Sequence, residues 1–139
     1  MVDVNYIAIL VAAIASMAVG FVWYGVLFKK KWMVLMGFTP ESIKSMKMSA
    51  NMAYTIQFAA SLVMAYVLAH VIVLSSSFFG NPALSIGLTS AFFMWLGFVA
   101  PVSLSIVLWE NKSWHLRAIN ASHYLAVLLV MGVILALWQ

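Results

Sequence analysis

The chain has 139 residues, of which 66% are hydrophobic and only 7% are charged, whereas about 25% of an average soluble domain is charged. This composition excludes a soluble globular domain and indicates an integral membrane protein. Because a span takes roughly 20 residues, about four spans fit with no separate soluble domain, and we expect a single transmembrane domain over residues 1–139. Cysteine is absent, which excludes disulfides and thiolate metal sites. The net charge of +4 is attributed to a cytosolic membrane face rather than to nucleic-acid binding.

Charged residues and turn formers divide the chain into predicted spans. Residues 4–28 carry no charge and are followed by a run of three lysines at 29–31. Residues 49–108 contain no Asp, Glu, Lys or Arg and are long enough to cross a membrane twice. We place the turn between these two crossings at Ser75–Pro82, because Ser, Gly, Asn and Pro are turn formers. The predicted fold is an all-α, four-transmembrane-helix bundle with spans at about residues 4–28, 52–74, 83–109 and 118–138.

The basic residues predict how the bundle is oriented. All seven fall between spans one and two or between spans three and four, which are connections on the same side of an up-and-down bundle. The positive-inside rule therefore predicts that this side is cytoplasmic, with both termini outside, in a multi-pass protein of the cell inner (plasma) membrane. Thr39, Pro40 and Glu41 have the pattern of a helix N-terminus, so we expect a short interfacial helix between spans one and two.

Small residues that recur at every fourth position predict where the helices touch, since lipid leaves close contact as the main attraction between helices. The stripes are Ala8, Ala12, Ser16 and Gly20 in span one, Ser61, Ala65 and Ala69 in span two, and Ala118, Ser122 and Ala126 in span four. Two interpretations stay open: the stripes join the helices of one subunit, or one stripe forms a homo-oligomer. Pro101 predicts a kink in span three, where Ser103 or Ser105 can bond the freed backbone groups.

Polar side chains gather in the cytosolic half of the predicted bundle. At about 1.5 Å per residue, seven of them fall within about 16 Å of the cytosolic interface. They are Tyr24, Gln57, Ser103, Ser105, Asn120, His123 and Tyr124. Asn120 lies three residues before His123 and four before Tyr124, so these three share a helix face. We expect this face to point towards Gln57 and the span-three serines, because an unpaired polar group in lipid is costly.

The polar cluster has three interpretations. The first is an interhelical hydrogen-bond network that fixes the register of the helices. The second is a polar cavity open to the cytosol, in which His123, together with Glu110, binds a ligand or relays a proton. The third is a metal site, but His115 and His123 are too far apart along one helix to chelate an ion unaided, and neither has an acidic neighbour. We therefore predict no metal site.

Several motifs resemble those of a known family. They are Trp23–Phe28 followed by Lys30 and Trp32, then Gly37–Glu41, and later Ile119 and Asn120 before His123–Leu125. These motifs resemble the bacterial family catalogued as domain of unknown function 1761, over nearly the whole chain. That family commonly has a proline after the glycine and a glycine after the phenylalanine, where this chain has Val26 and Lys29. The resemblance implies a small four-span membrane protein and supplies no established activity.

Enzymatic chemistry has little support, because the chain lacks paired carboxylates, a His-Glu zinc motif and a glycine-flanked nucleophile. Ion pumping is also weakly supported, since no charged residue lies deep within a predicted span. We predict a structural or accessory interaction protein, either a homo-oligomer or a subunit of a larger membrane complex. The alternative is a small oligomeric transporter or channel with a cytosol-facing polar cavity around His123. We expect no catalytic residue, no cofactor and no nucleic-acid partner.

Reporter fusions test the predicted orientation. Alkaline phosphatase folds to an active form outside the cytoplasm, so a fusion after Gln139 is expected to be active and a fusion at Ser45 inactive. Enzyme activity in whole cells, normalised to the amount of fusion protein on an immunoblot, makes the comparison. The reverse pattern would overturn the orientation, and with it the cytosolic placement of the polar cluster.

Overall fold

The computed structural model of the chain describes residues 3–80 and 83–138, which form helices joined by short turns. Three helical stretches are each long and apolar enough to cross a membrane: Tyr6–Leu27, Ala50–Phe79 and Trp114–Leu137. A fourth candidate is a bent pair, Ala83–Val99 followed by Val102–Leu108, with an angle of 41° between its parts. The all-helical class is confirmed, with three candidate spans, or four when the bent pair counts as one.

The helices are labelled in chain order. They are α1 (Tyr6–Phe21), α2 (Lys29–Met36), α3 (Pro40–Lys44), α4 (Ala50–Phe79), α5 (Ala83–Met94), α6 (Ser105–Leu108) and α7 (Trp114–Leu137). α1 continues directly into a π-helical stretch, Val22–Leu27, which we call the first π segment. α5 continues into a second π segment, Trp95–Val99, and a 3₁₀ turn, Val102–Leu104, leads on to α6.

Side-chain caps fix where the helices begin. The hydroxyl of Thr39 accepts a hydrogen bond from the Ser42 N–H at 3.1 Å, and the Ser42 hydroxyl accepts one from the Thr39 N–H at 2.8 Å. This reciprocal pair starts α3 at Pro40 and confirms the short helix predicted between spans one and two. The three long, unbroken helices also have polar N-caps, namely Asn5, Ser49 and Ser113.

The turn predicted at Ser75–Pro82 begins later than expected. α4 continues through the serines to Phe79, and Gly80 ends it with a left-handed φ of 57°. Serine does not break the helix here, because the Ser77 hydroxyl donates to its own helix, to the carbonyl of residue 73, at 3.0 Å. Gly80 adopts the left-handed conformation without strain, so it is the residue that ends the helix. The predicted turn residues 81 and 82 lie outside the described residues.

Two further helix starts differ from the prediction. α7 begins at Trp114 rather than near residue 118, because the Ser113 side chain accepts a hydrogen bond from the Leu116 N–H at 3.1 Å. This earlier start places Arg117 inside the helix rather than in the preceding loop. α2 is not predicted from the sequence, since its lysines end the hydrophobic run, yet the chain becomes helical again at Lys29 after a break at Phe28.

α7 is the central helix of the bundle. It packs against α1, α4 and α5, while α4 also packs against α1 and α5. The contact between α4 and α7 therefore crosses the middle of the bundle. Leu68 and Ile72 of α4 are fully buried, as are Met131 and Leu135 of α7. These side chains fill the interior of the described bundle.

The start of α1 and the end of α7 meet on one side of the bundle. The Asn5 side-chain amide donates a hydrogen bond to the backbone carbonyl of Trp138 at 2.8 Å. The start of α1 and the end of α7 are therefore neighbours. The basic connections lie at the opposite ends of the same helices.

The kink predicted at Pro101 is confirmed. The 41° bend of the third span falls at this residue. The Ala100 N–H reaches back to the Trp95 carbonyl at 2.9 Å, and the Leu104 N–H bonds the Pro101 carbonyl at 3.1 Å. Ser103 donates its hydroxyl to the Ala100 carbonyl at 2.8 Å. The serine thus meets one of the backbone groups for which the bend leaves no helical partner.

The predicted small-residue stripes of the first two spans face the interior of a single chain. Their buried members are Ala8, Ala12, Ser16, Ser61, Ala65 and Ala69, and Gly20 is half-buried. The stripe predicted in span four is less enclosed, with Ala118 exposed and Ser122 and Ala126 half-buried. The closest approach of α7 to another helix occurs on a different face, at Gly132.

A glycine pair joins α5 to α7 at the closest approach of two backbones. A Cβ atom added to Gly132 would lie 2.6 Å from the Gly87 carbonyl oxygen and 3.0 Å from the Ala91 Cβ. A Cβ added to Gly87 would overlap the Gly132 carbonyl oxygen and lie 2.6 Å from the Ala136 Cβ. Neither glycine belongs to a predicted stripe. Only hydrogen side chains permit this backbone approach.

A pair of glycine variants tests this seam. Alanine is favoured over glycine in a helix by about 1 kcal/mol, so Gly97→Ala, where an added Cβ meets no atom within 4 Å, is expected to keep or raise stability. Gly132→Ala must force α5 and α7 apart and is expected to lower the thermal unfolding midpoint in detergent by several degrees. Equal midpoints for the two variants would show that the α5–α7 contact is looser than described.

Candidate functional site

The most distinctive polar side chain in the bundle is His123 of α7, which is enclosed by aromatic rings. Its ring centroid lies 4.8 Å from that of Tyr24, 5.0 Å from that of Tyr124 and 6.2 Å from that of Trp23. We call Trp23, Tyr24 and Tyr124 the aromatic cage. Gly20 covers another side, where an added Cβ would lie 3.4 Å from Nε2 of the imidazole. Only 8% of His123 is exposed.

His123 is buried without a hydrogen-bond partner. Among the described residues, neither Nδ1 nor Nε2 of its ring is within hydrogen-bonding reach of a donor or acceptor. An unpaired polar group in a protein interior costs about 1–3 kcal/mol. A leucine would fill a similar volume without this penalty. Packing and stability therefore do not explain why a histidine occupies this position.

One interhelical hydrogen bond lies beside the cage. The Tyr24 hydroxyl donates to the side-chain oxygen of Asn120 at 2.9 Å and links the first π segment to α7. Both residues, Tyr24 and Asn120, belong to the polar cluster predicted from the sequence. His123 lies one helical turn beyond Asn120, but its ring nitrogens take no part in the bond.

The other predicted members of the cluster lie apart from the cage. Gln57 is exposed on the surface of α4, and Glu110 is exposed in the turn after α6. Ser103 donates its hydroxyl within its own span, and Ser105 is half-buried at the start of α6. The structure thus brings together four of the predicted residues, namely Tyr24, Asn120, His123 and Tyr124.

Two tryptophans that sequence reasoning did not assign to the site hold both π segments against α7. The indole N–H of Trp23 donates to the Ile119 carbonyl at 3.0 Å, and that of Trp95 donates to the Ala121 carbonyl at 2.7 Å. Each tryptophan opens a Trp-x-Gly sequence, residues 23–25 and 95–97, within a π segment. This short repeat is the signal that could have identified the pair.

Arg117 links α7 to the bend at Pro101, a contact that the sequence does not predict. Its Nη2 donates to the Ala100 carbonyl at 2.9 Å, the same oxygen that accepts from Ser103. Its guanidinium lies 5.8 Å from the centre of the Trp114 ring. Arg117 therefore ties the first turn of α7 to the bend in the third span. The later start predicted for span four had left it in a loop.

The chemistry available at the cage is that of one imidazole and three aromatic rings. Within residues 3–80 and 83–138, no group of three or more His, Cys, Asp or Glu side chains is placed to hold a metal ion. An imidazole can donate one hydrogen bond and accept another, and it can bind a proton. Aromatic rings offer flat apolar faces and, in the tyrosines, hydroxyl groups.

Fold and site together define a small helical bundle with membrane-compatible helices, organised around a central helix that carries a buried histidine. The chain belongs to the family described as protein of unknown function (DUF1761), whose family model matches residues 7–136. This match confirms the resemblance drawn from the sequence motifs. No curated protein and no solved structure matches the chain.

Two leucine substitutions distinguish His123 from Asn120. Because His123 has no partner to lose, His123→Leu is expected to leave the free energy of unfolding unchanged or to raise it by about 1 kcal/mol. Asn120→Leu deprives the Tyr24 hydroxyl of its acceptor and is expected to lower stability by roughly 0.6 kcal/mol. Unfolding by a denaturing detergent in mixed micelles measures both. A loss at His123 as large as that at Asn120 would show that the imidazole is held by a partner.

Proposed function

We propose that the protein is a small four-span subunit of the cell inner (plasma) membrane that works by association, either with copies of itself or with a larger membrane protein. The filled interior carries this proposal. α4 and α7 touch across the middle of the bundle, and Leu68, Ile72, Met131 and Leu135 are fully buried there. Packed in this way, the described part of one chain has no path along its axis, so we expect association to use the outer surface.

One groove on that surface is suited to association. It lies between α4 and α5, has a volume of about 470 Å³ and is lined in part by Ser75, Thr89, Ser90 and Phe93. Small hydroxyl residues are enriched where membrane helices meet, because they permit close approach. The aromatic side chain next to them provides contact area. We propose this α4–α5 groove as the face on which a neighbouring helix packs.

The alternative is an oligomeric transporter or channel. Because the interior of one chain is filled, its path would have to run between copies. It would also require His123 to become accessible from the cytosol, whereas its ring nitrogens are buried in the structure. The buried imidazole is the one feature that favours this alternative over a purely structural subunit.

Gentle detergent extraction followed by size analysis tests the proposal. The wild-type chain is expected to elute in a stable assembly, either as a small homo-oligomer or with a co-purifying membrane protein identified by mass spectrometry. Thr89→Trp fills the groove and is expected to dissociate the assembly. Ile14→Trp, on the exposed face of α1, is the matched control and is expected to leave the assembly intact.

Three results would count against parts of this proposal. A wild-type chain that stays monomeric in native lipid particles would contradict association altogether. Equal effects of the two tryptophan variants would place the interface away from the α4–α5 groove. A closed ring of identical subunits that conducts ions or solutes would support the transporter or channel instead.

A further inference from the structure

A second groove lies on the outer face of the Tyr6–Leu27 helix, near the end that leads into α2. It has a volume of about 360 Å³ and is lined by Ala18, Val19, Val22, Trp23 and Leu27. These side chains are apolar apart from the indole N–H of Trp23, which is already bonded to the Ile119 carbonyl. The groove belongs to the last turns of Tyr6–Leu27, a stretch apolar enough to cross a membrane. A molecule dissolved in the bilayer can therefore reach it without crossing water.

Trp23 lines this groove and also lies near His123. The indole lines the groove, and its ring centroid lies 6.2 Å from that of the imidazole. The hydrogen bond to Ile119 that holds the indole on α7 is 3.0 Å long. Trp23 also lies in the first π segment, where the Phe28 N–H bonds back to the Trp23 carbonyl at 2.9 Å. π segments are often found at functional sites. His123 is not among the residues that line the groove, so contact between the imidazole and a molecule in the groove requires the indole to rotate and to break its bond to Ile119.

We propose that the groove and His123 form one binding site, entered from the bilayer, for a lipid-soluble molecule whose flat ring carries carbonyl or hydroxyl groups. This is the chemistry of a quinone headgroup. The site does not depend on the association proposed above, because every residue in it comes from one chain and lies away from the α4–α5 groove.

Each part of the site matches one part of such a molecule. The apolar groove takes the hydrocarbon tail. Tyr24 and Tyr124 pack directly against the imidazole, at 4.8 and 5.0 Å between centroids. The flat headgroup therefore takes the space that the rotated Trp23 indole leaves. Pairs of aromatic rings gain about 0.5–1.5 kcal/mol beyond the area they bury. The imidazole supplies the specific contact, since it donates to a carbonyl or accepts from a hydroxyl.

The ligand also accounts for the missing partner of His123. Binding sites for small molecules are mostly apolar with a few placed polar groups, and here the polar group is a buried imidazole with both nitrogens free. A carbonyl oxygen at either nitrogen would satisfy a group that otherwise lowers stability. Counted from the start of α7 at Trp114, His123 lies nine residues in, or about 14 Å along the helix. This depth suits a headgroup whose tail extends along the first span.

Binding of decylubiquinone to the purified full chain in lipid nanodiscs tests the proposal. Quinones quench tryptophan fluorescence, and Trp23 would lie against the bound ring, so saturable quenching is expected with the wild-type chain. Decylcyclohexane, which has a similar tail and a ring without oxygen, is the control and is expected not to compete. His123→Leu is expected to weaken binding at least tenfold. His123→Gln, which keeps a hydrogen-bond donor, is expected to weaken it less.

A matched pair of tryptophan variants locates the site. Trp23→Phe removes the bond to Ile119 and is expected to tighten the binding of decylubiquinone, because no hydrogen bond then has to break to expose His123. Equilibrium dialysis measures the affinity of this variant, since it lacks the indole that reports quenching. Trp95→Phe removes the equivalent bond to Ala121 and is expected to leave the affinity unchanged. Circular dichroism and a single elution peak establish that each variant is folded. Unaltered affinity in a folded His123→Leu variant, or competition by decylcyclohexane equal to that of the quinone, would overturn the proposal.

Discussion

The contact of every long helix with α7 is the constraint on which the rest of the structure depends. Lipid tails are as apolar as the side chains they touch, so burial contributes little to holding membrane helices together. Close packing must provide the attraction instead. Gly87 and Gly132 let two backbones approach until a single added methyl group would overlap its neighbour. The alanine-lined faces of α1 and α4 serve the same purpose on the other sides of the bundle. Once α7 is held in the centre, His123 is enclosed by the neighbouring helices.

The burial of His123 follows from that arrangement, and so does its cost. The face of α7 that carries Asn120 and His123 turns towards the first π segment, where Tyr24 pairs with the asparagine. The imidazole is left among aromatic rings, with both nitrogens unpaired. A network that served only to fix helix register would include the histidine in its hydrogen bonds. The ligand site proposed above would give the imidazole a role, because proteins keep groups that lower their stability at functional positions.

The two π segments give the bundle an internal correspondence. Both follow the first long stretch of an interrupted span, both contain a Trp-x-Gly sequence, and both place a tryptophan indole on a carbonyl of α7. The accepting carbonyls belong to Ile119 and Ala121, on either side of Asn120. Beyond the segments the two spans differ. The helix that contains the first segment breaks at Phe28 before the lysines of α2. The bent pair that contains the second segment bends at Pro101, and Arg117 bonds it to α7. The first π segment places the rings of Trp23 and Tyr24 near His123.

The sequence by itself determined the class, the approximate spans and the local signals. Composition and the apolar runs without charges indicate membrane-compatible helices. Thr39 and Pro40 fix the start of α3 and Pro101 fixes the bend, because each of these signals depends on neighbouring residues alone. The sequence also predicted that the small-residue stripes of α1 and α4 face other helices, since helical periodicity places the members of each stripe on one face. The pairing of Gly87 with Gly132 could not, because two isolated glycines show their purpose only when their helices meet. Likewise, the spacing of Asn120, His123 and Tyr124 predicts a shared helix face, but the tertiary structure alone decides which partners that face receives. In the described structure Asn120 accepts a hydrogen bond from Tyr24, whereas the ring nitrogens of His123 have no hydrogen-bond partner. Composition and spacing could not predict this difference, because a hydrogen bond requires particular positions and directions of its donor and acceptor.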